Sequence, residues 1–212
     1  SGTGNVTVGA RNITVEAKHN RSSSGLKAEA KAEPSGGGAI GFSGAFVTTE
    51  ANADTTASIG GSGANITATG TVTVRGTADN DAKSEGKAIT GGLVGVGAVI
   101  LSATSAGSTT AKVGGSTTKL DATGAVTIEA VATARALSDG KAIAGGVGAG
   151  TGVDSTATVD PDVTAKIGSN ADVSSDSSIT VEASLDADVN ADAEGVSAGA
   201  LAAGVSIANA FM

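Results

Sequence analysis

Cysteine, tryptophan and tyrosine are absent from this chain, proline occurs twice and phenylalanine three times. Without cysteine there is no disulfide framework and no thiolate metal site. A membrane β-barrel needs aromatic girdles at both interfaces, and Phe42, Phe46 and Phe211 are the whole supply. No run of about 18 apolar residues exists, so no membrane helix is expected. His19 is the single histidine. It has no second His or Cys with which to share a metal, and a Ser-His-Asp triad built on it lacks the Gly-x-Ser-x-Gly context. The phosphate-loop pattern Gly-x4-Gly-Lys-Ser/Thr is missing as well. Basic charge is scarce: 13 Lys and Arg against 21 Asp and Glu give a net charge of −8. That balance argues against nucleic acid and anionic membranes as partners and leaves cations open.

Apolar residues still make up 40% of the 212 positions, most of them Ala and Val, alongside 33 Gly. Small side chains cannot fill a wide globule without voids, but they can fill a thin slab between backbones that approach closely. The abundance of Val, Ile and Thr argues against disorder. The glycine lacks the every-third-residue period of collagen.

One phrase organises the chain. Ala122-Thr-Gly-Ala-Val-Thr-Ile-Glu129 recurs as Ala68-Thr-Gly-Thr-Val-Thr-Val-Arg75, with shorter echoes at Ile13–Ala17 and Ile179–Ala183. The first apolar residues, Ile13, Val72, Val126 and Ile179, lie 59, 54 and 53 residues apart. Strict alternation follows each copy, with Ala or Gly on one face and polar residues on the other. Examples are Lys27–Glu33, Gly76–Ala88, Ala130–Ala136 and Ala183–Glu194. Period-two alternation predicts half-buried strands; on a helix those Ala would not share a face. Val6-Thr7-Val8 reads as a short opening strand. A Gly-rich apolar stretch comes next in each copy, at 38–47, 88–100, 142–153 and 196–208, where glycines such as Gly92, Gly95 and Gly97 let another backbone come close. Second anchors follow at Ile59-Gly60, Val113-Gly114 and Ile167-Gly168. The first copy is five residues longer, and Pro34-Ser-Gly-Gly-Gly38 is the expected turn that absorbs them. Asp160-Pro161-Asp162 reads as another turn.

The predicted fold is all-β: a parallel β-solenoid with a repeat of about 54 residues. One wide coil per repeat is favoured over two or three unlike coils. Residues 1–212 form one repetitive segment, with copies at 13–71, 72–125 and 126–178 and a partial fourth at 179–212. Two charge columns accord with that register, Glu16–Arg75–Glu129–Glu182 and Ser22–Asp81–Arg135–Asp188, each placing a cation between anions.

Few motifs carry chemistry. Gly60-Gly-Ser-Gly-Ala-Asn65 approaches a calcium-binding repeat, but it occurs once and a hard cation needs six or more oxygens, so an ordinary turn is preferred. Asp186, Asp188, Asp192 and Glu194 read as a solvated strand face rather than a cation site. Asn-x-Thr/Ser triplets at Asn5, Asn12, Asn20 and Asn65 arise by chance in a Thr-rich repeat. Thr14, Thr73, Thr127 and Thr180 form one column, an outward ladder that serves strand propensity or else binds ice or a regular glycan. Phe42 and Phe46 are expected in a buried, wider part of the slab, and Phe211 has no counterpart in the repeat. No catalytic, cofactor-binding or metal residue is assigned, and the expectation is a protein that is not an enzyme and needs no cofactor.

The Ala-Thr-Gly-x-Val-Thr-Val/Ile phrase, with its Ala alternation and Gly-Val-rich strands, resembles the repeats of large bacterial secreted and surface proteins, the filamentous haemagglutinin-like adhesins. That resemblance implies an extracellular or cell-surface stalk or fibre. Open ladder ends and a lone methionine at position 212 add the expectation of a longer parent chain or end-to-end self-association. The alternative is a binding module that takes a glycan or other cell-surface ligand, ice or cations on its outer Thr and Asp ladders, with no insertion into a membrane.

Overall fold

A computed structural model describes residues 7–20, 28–115 and 117–212. Among them the chain forms thirteen strands and no helix: β1 (Thr7–Ala10), β2 (Ile13–His19), β3 (Ala28–Ala32), β4 (Ser35–Ala51), β5 (Thr55–Ile59), β6 (Asn65–Ala68), β7 (Val72–Val113), β8 (Thr118–Ala122), β9 (Val126–Gly145), β10 (Gly148–Ile167), β11 (Ala171–Ser175), β12 (Ile179–Ala198) and β13 (Leu201–Phe211). Every pairing among these strands is parallel. A four-stranded sheet runs β1-β6-β8-β11. A nine-stranded sheet has the path β12-β9-β7-β10-β13, with β2 to β5 also paired to β7. Strand β7 makes the larger sheet fold back on itself, so that it nearly closes in a barrel-like way. The first half of β7 pairs with β2, β3 and β9; its second half pairs with β4, β5 and β10.

The phrase copies meet through their backbones. Ile13 pairs with Val72, Val72 with Val126, and Val126 with Ile179. The second anchors do the same, as Ile59 with Val113 and Val113 with Ile167. One expectation is corrected. Ser35–Gly38 belong to β4 and pair with Ile89–Gly92, so Pro34–Gly38 is not an inserted turn. The offset between paired residues is 59 at His19–Ala78 and 54 at Ala28–Ala82, so the five extra residues lie between His19 and Ala28. The backbone reason is that the glycines at 36–38 complete a ladder, whereas His19 ends its strand at Asn20, which has a φ of 55°. Asp160-Pro161-Asp162 likewise lies within β10, opposite Ala106–Ser108. Val6, Ser22 and Lys27 lie outside the described residues.

Two facing halves make the slab. Inward positions are small, and the backbones are correspondingly close: a Cβ on Gly76 would stand 2.9 Å from Thr110 O, and one on Gly95 2.9 Å from Gly145 O. Larger apolar residues collect where space allows. Val72, Val74, Val113, Leu120, Val126 and Ile128 fill the end closed by the four-stranded sheet. Val99, Leu101 and Val153 fill the other end opposite Gly86 and Gly140, where a Cβ on Gly86 would sit 2.7 Å from Leu101 Cδ2. Between them the core is mostly alanine: Ala82, Ala103, Ala134, Ala136 and Ala157 with Val159.

Buried hydroxyls and one amide tie the halves together. Ser84 Oγ donates to Ser102 O (2.6 Å), Thr49 Oγ1 to Lys83 O (3.0 Å), and Ser155 Oγ to Ser138 O (2.9 Å). Asn80 Nδ2 donates to Ala106 O (2.7 Å) and to Ala53 O (3.1 Å), beside Gly107 with a φ of 102°. At the corner between the halves, a Cβ on Gly92 would lie 2.2 Å from Gly38 O, and one on Gly146 2.4 Å from Gly92 O. Only glycine stacks there.

Asn80→Ala fits sterically, since Ala134 holds the paired position. It strips two part-buried carbonyls of a donor, so denaturant unfolding should show a loss of about 1–2 kcal/mol.

Candidate functional surfaces

Three outward features present themselves. The first is the threonine ladder. Thr14, Thr73, Thr127 and Thr180 are paired in register, and they alternate with inward Val72, Val74, Val126 and Ile128, all fully buried. Stacked parallel strands set the ladder's repeat at about 4.8 Å.

Charge lines the same side of the slab. Arg75 forms an ion pair with Glu129: a terminal guanidinium nitrogen donates to Oε1 (3.3 Å), and Nε stands 3.1 Å from Oε2 without a hydrogen bond, while Glu16 turns to Lys18 (2.8 Å). Arg135 pairs in register with Asp81 and Asp188. Lys31 meets Glu33 (3.2 Å) and Glu85 (3.7 Å), Lys83 bridges Glu85 and Glu29, and Lys141 reaches Glu194 (2.6 Å). The ion pair with Lys83 holds the Glu85 carboxyl below the usual carboxylate range. Bonding to Glu33 raises Lys31, and bonding to Glu85 raises Lys83. Asp186, Asp188, Asp192 and Glu194 are exposed along β12, as a solvated face should be. Among the described residues no three His, Cys, Asp or Glu gather as a metal-holding group. Residues Gly60–Asn65 form a corner stacked on the next one, with Gly61 N bonded to Thr118 Oγ1 (3.2 Å) and Gly63 N to Thr117 Oγ1 (3.1 Å). His19 Nε2 accepts from Nδ2 of its neighbour Asn20 (2.8 Å) at the end of β2.

The third feature was not legible in the sequence. Phe42 and Phe46 are not buried: they stand on the outer face of β4, 68% and 75% exposed. The inward positions of that strand go to Gly41, Ala45 and Val47, because the slab is too thin for a phenyl ring: a Cβ on Gly41 would already lie 2.7 Å from Gly91 O. Outward residues on the three strands beyond it continue the apolar surface. In register, Ile40 leads to Val94, Gly148 and Leu201, and Phe42 to Val96, Gly150 and Ala203. Phe211, also outward and exposed, does have a counterpart: it pairs with Thr158. No family model, curated protein or solved structure matches the chain.

The signs of the pH dependence follow from these pairs. A lowered Glu85 contributes stability that is present above its unfolded value of 4.5 and is lost as pH falls through its depressed folded value. The raised Lys31 and Lys83 contribute stability that is present below 10.5 and is lost as pH rises through their folded values. Thermal unfolding across pH should therefore show Glu85→Gln losing less stability on acidification than the wild type. The difference should be about 1 kcal/mol or less, because these pairs are partly exposed.

Proposed function

We propose that the chain is a segment of an extracellular structural fibre or stalk, of the kind found in bacterial adhesin-like surface proteins. In this reading each repeat of about 54 residues is one wide coil of a parallel β-solenoid, and coils add end to end. One observation carries it: equivalent residues of successive copies, Val72, Val126 and Ile179 among them, are joined as backbone neighbours. A ladder of that kind gains length by adding identical layers and needs no change of plan. The layer formed by β12 and β13 supports the same reading. Its inward residues Ile179, Val181 and Leu185 are 43%, 44% and 44% exposed, where their counterparts Val126 and Ile128 are fully covered. An open trough of about 280 Å³ lies between the two strands, lined by Gly195, Ser197, Gly204 and Ser206. Another layer of the same build would cover both.

A second reading has its own support, the outward threonine ladder, whose even spacing suits ice or a regular glycan. Ice-recrystallisation and glycan-binding assays separate it from the first, which expects neither activity.

The stalk reading predicts that scattering and electron microscopy at rising protein concentration will show particles that lengthen at constant cross-section. Val181→Lys combined with Leu185→Lys should stop the lengthening. Particles whose length is fixed at every concentration would contradict end-to-end addition.

A further inference from the structure

The outward residues of stretches 40–46 on β4, 94–100 on β7, 148–154 on β10 and 201–207 on β13 make an apolar surface with one charge, Asp154. Ile40, Phe42, Phe46, Leu201 and Val205 on its two flanking strands are between 63% and 77% exposed. Four outward columns by four strands span about 27 × 19 Å, or about 500 Å², at usual strand dimensions. That is at the upper end of what a monomer ordinarily exposes.

The relief of the face is uneven. Its outward residues on β10 are Gly148, Gly150 and Gly152, a shallow furrow between the branched residues of β7 and those of β13. The fold does not require glycine at these three places. A Cβ on Gly148 or Gly150 would meet only ordinary contacts, 3.8 Å or longer, and one on Gly152 would meet nothing within 4 Å. Their φ angles are not in the left-handed region. Glycine weakens a strand interior, and here the weakness brings no internal benefit. The glycines at 92 and 146 differ, because their neighbours exclude a side chain.

We infer that this face binds the same face of a second copy, in a closed two-fold pair with the axis along the strands. That operation keeps strand directions aligned, as face-to-face sheets prefer, and reverses the strand order. Strand β4 then lies over β13 of the other copy, and β7 over β10. In the middle of the face large residues meet small ones: Phe42 lies over Ala203, Val96 over Gly150 and Val205 over Gly44, while at the corners Ile40 meets Leu201 and Phe46 meets Ile207, apolar against apolar. The central complementarity is a property of this sequence with itself and needs no partner of another kind. Asp154, the single charge, sits in the outermost of the four columns, beside Thr156, where water reaches the rim. Pairing would bury about 1,000 Å² in total, at the threshold for a specific though not a tight interface. The inference concerns lateral contact and holds whether or not layers also add end to end.

Sedimentation equilibrium tests it on the full chain carrying Val181→Lys with Leu185→Lys, the pair that blocks end-to-end addition. This parent should approach a monomer–dimer equilibrium that saturates at two copies. Phe42→Lys should weaken pairing about tenfold or more, as expected for loss of a central aromatic contact. Gly150→Val with Gly152→Val is the decisive variant. It should leave the thermal midpoint of the monomer unchanged or raised, because the fold has room for both side chains, and still weaken pairing by a similar factor. Because the chain has no cysteine, Phe42→Cys mixed with Ala203→Cys and a short thiol cross-linker should give mixed dimers in preference to either protein alone. A parent that stays monomeric at its highest soluble concentration overturns the inference, as does pairing that survives both substitutions. So does a monomer whose face binds phosphatidylcholine vesicles and loses that binding in Phe42→Lys.

Discussion

Parallel backbone pairing between equivalent residues is the constraint on which everything else depends. Once Val72 is bonded beside Val126 and Val126 beside Ile179, every position in a copy is stacked on its own counterpart at a strand's spacing of about 4.8 Å. A residue type must then be compatible with itself or its substitute one strand away. The corner at Gly92 and Gly146 satisfies this only as glycine, since a Cβ on either would strike a neighbouring carbonyl, as Gly92 against Gly38 O shows. Some outward charges satisfy it by alternating sign, as Lys31 beside Glu85 and Lys83 beside Glu29, whereas Glu129 beside Glu182 and Lys87 beside Lys141 stack like on like. Inward positions satisfy it with alanine, whose methyl stacks without crowding.

Thinness is the second consequence. The facing halves of the slab approach so closely that alanine, glycine and short hydroxyls suffice to fill the space. Buried hydroxyls at Ser84 and Ser155 cost little there, because each reaches a carbonyl on the opposite half. Bulky apolar side chains have three outlets: the end closed by the four-stranded sheet, where Val72, Leu120 and Ile128 cluster, the opposite end, where Val99, Leu101 and Val153 lie over Gly86 and Gly140, and the outer surface. The exposed phenylalanines follow from this geometry. In a thick globule Phe42 would be core, whereas in a thin slab it stands on the exposed outer face.

Much of this was legible in the sequence, and the divide is physical. Period-two alternation and the spacing of Ile13, Val72, Val126 and Ile179 announced parallel strands in register, because stacking forces equivalent residues to resemble one another. The threonine column and the Arg75–Glu129 pair could be read for the same reason. What failed was parity across the glycine corners. Between Ala88 and Val99 the chain turns from one half to the other, and the sequence does not say which alternate residues emerge facing inward. Hydrophobicity alone points Phe42 and Phe46 inward, whereas Gly41 and Ala45 occupy that side. Likewise the length of the first copy marked five extra residues without locating them; only the change in pairing offset between His19 and Ala28 does that.

The register itself is open to direct measurement. Spin labels placed through Thr73→Cys and Thr127→Cys, both on outward strand positions, should lie one strand spacing apart and show strong dipolar broadening. Labels at Thr127→Cys and Thr180→Cys should show the same. Moving one label along its own strand, from Thr127 to Arg135, should abolish the interaction with position 73. Narrow, independent spectra for the 73 and 127 pair would contradict the ladder and everything built on it.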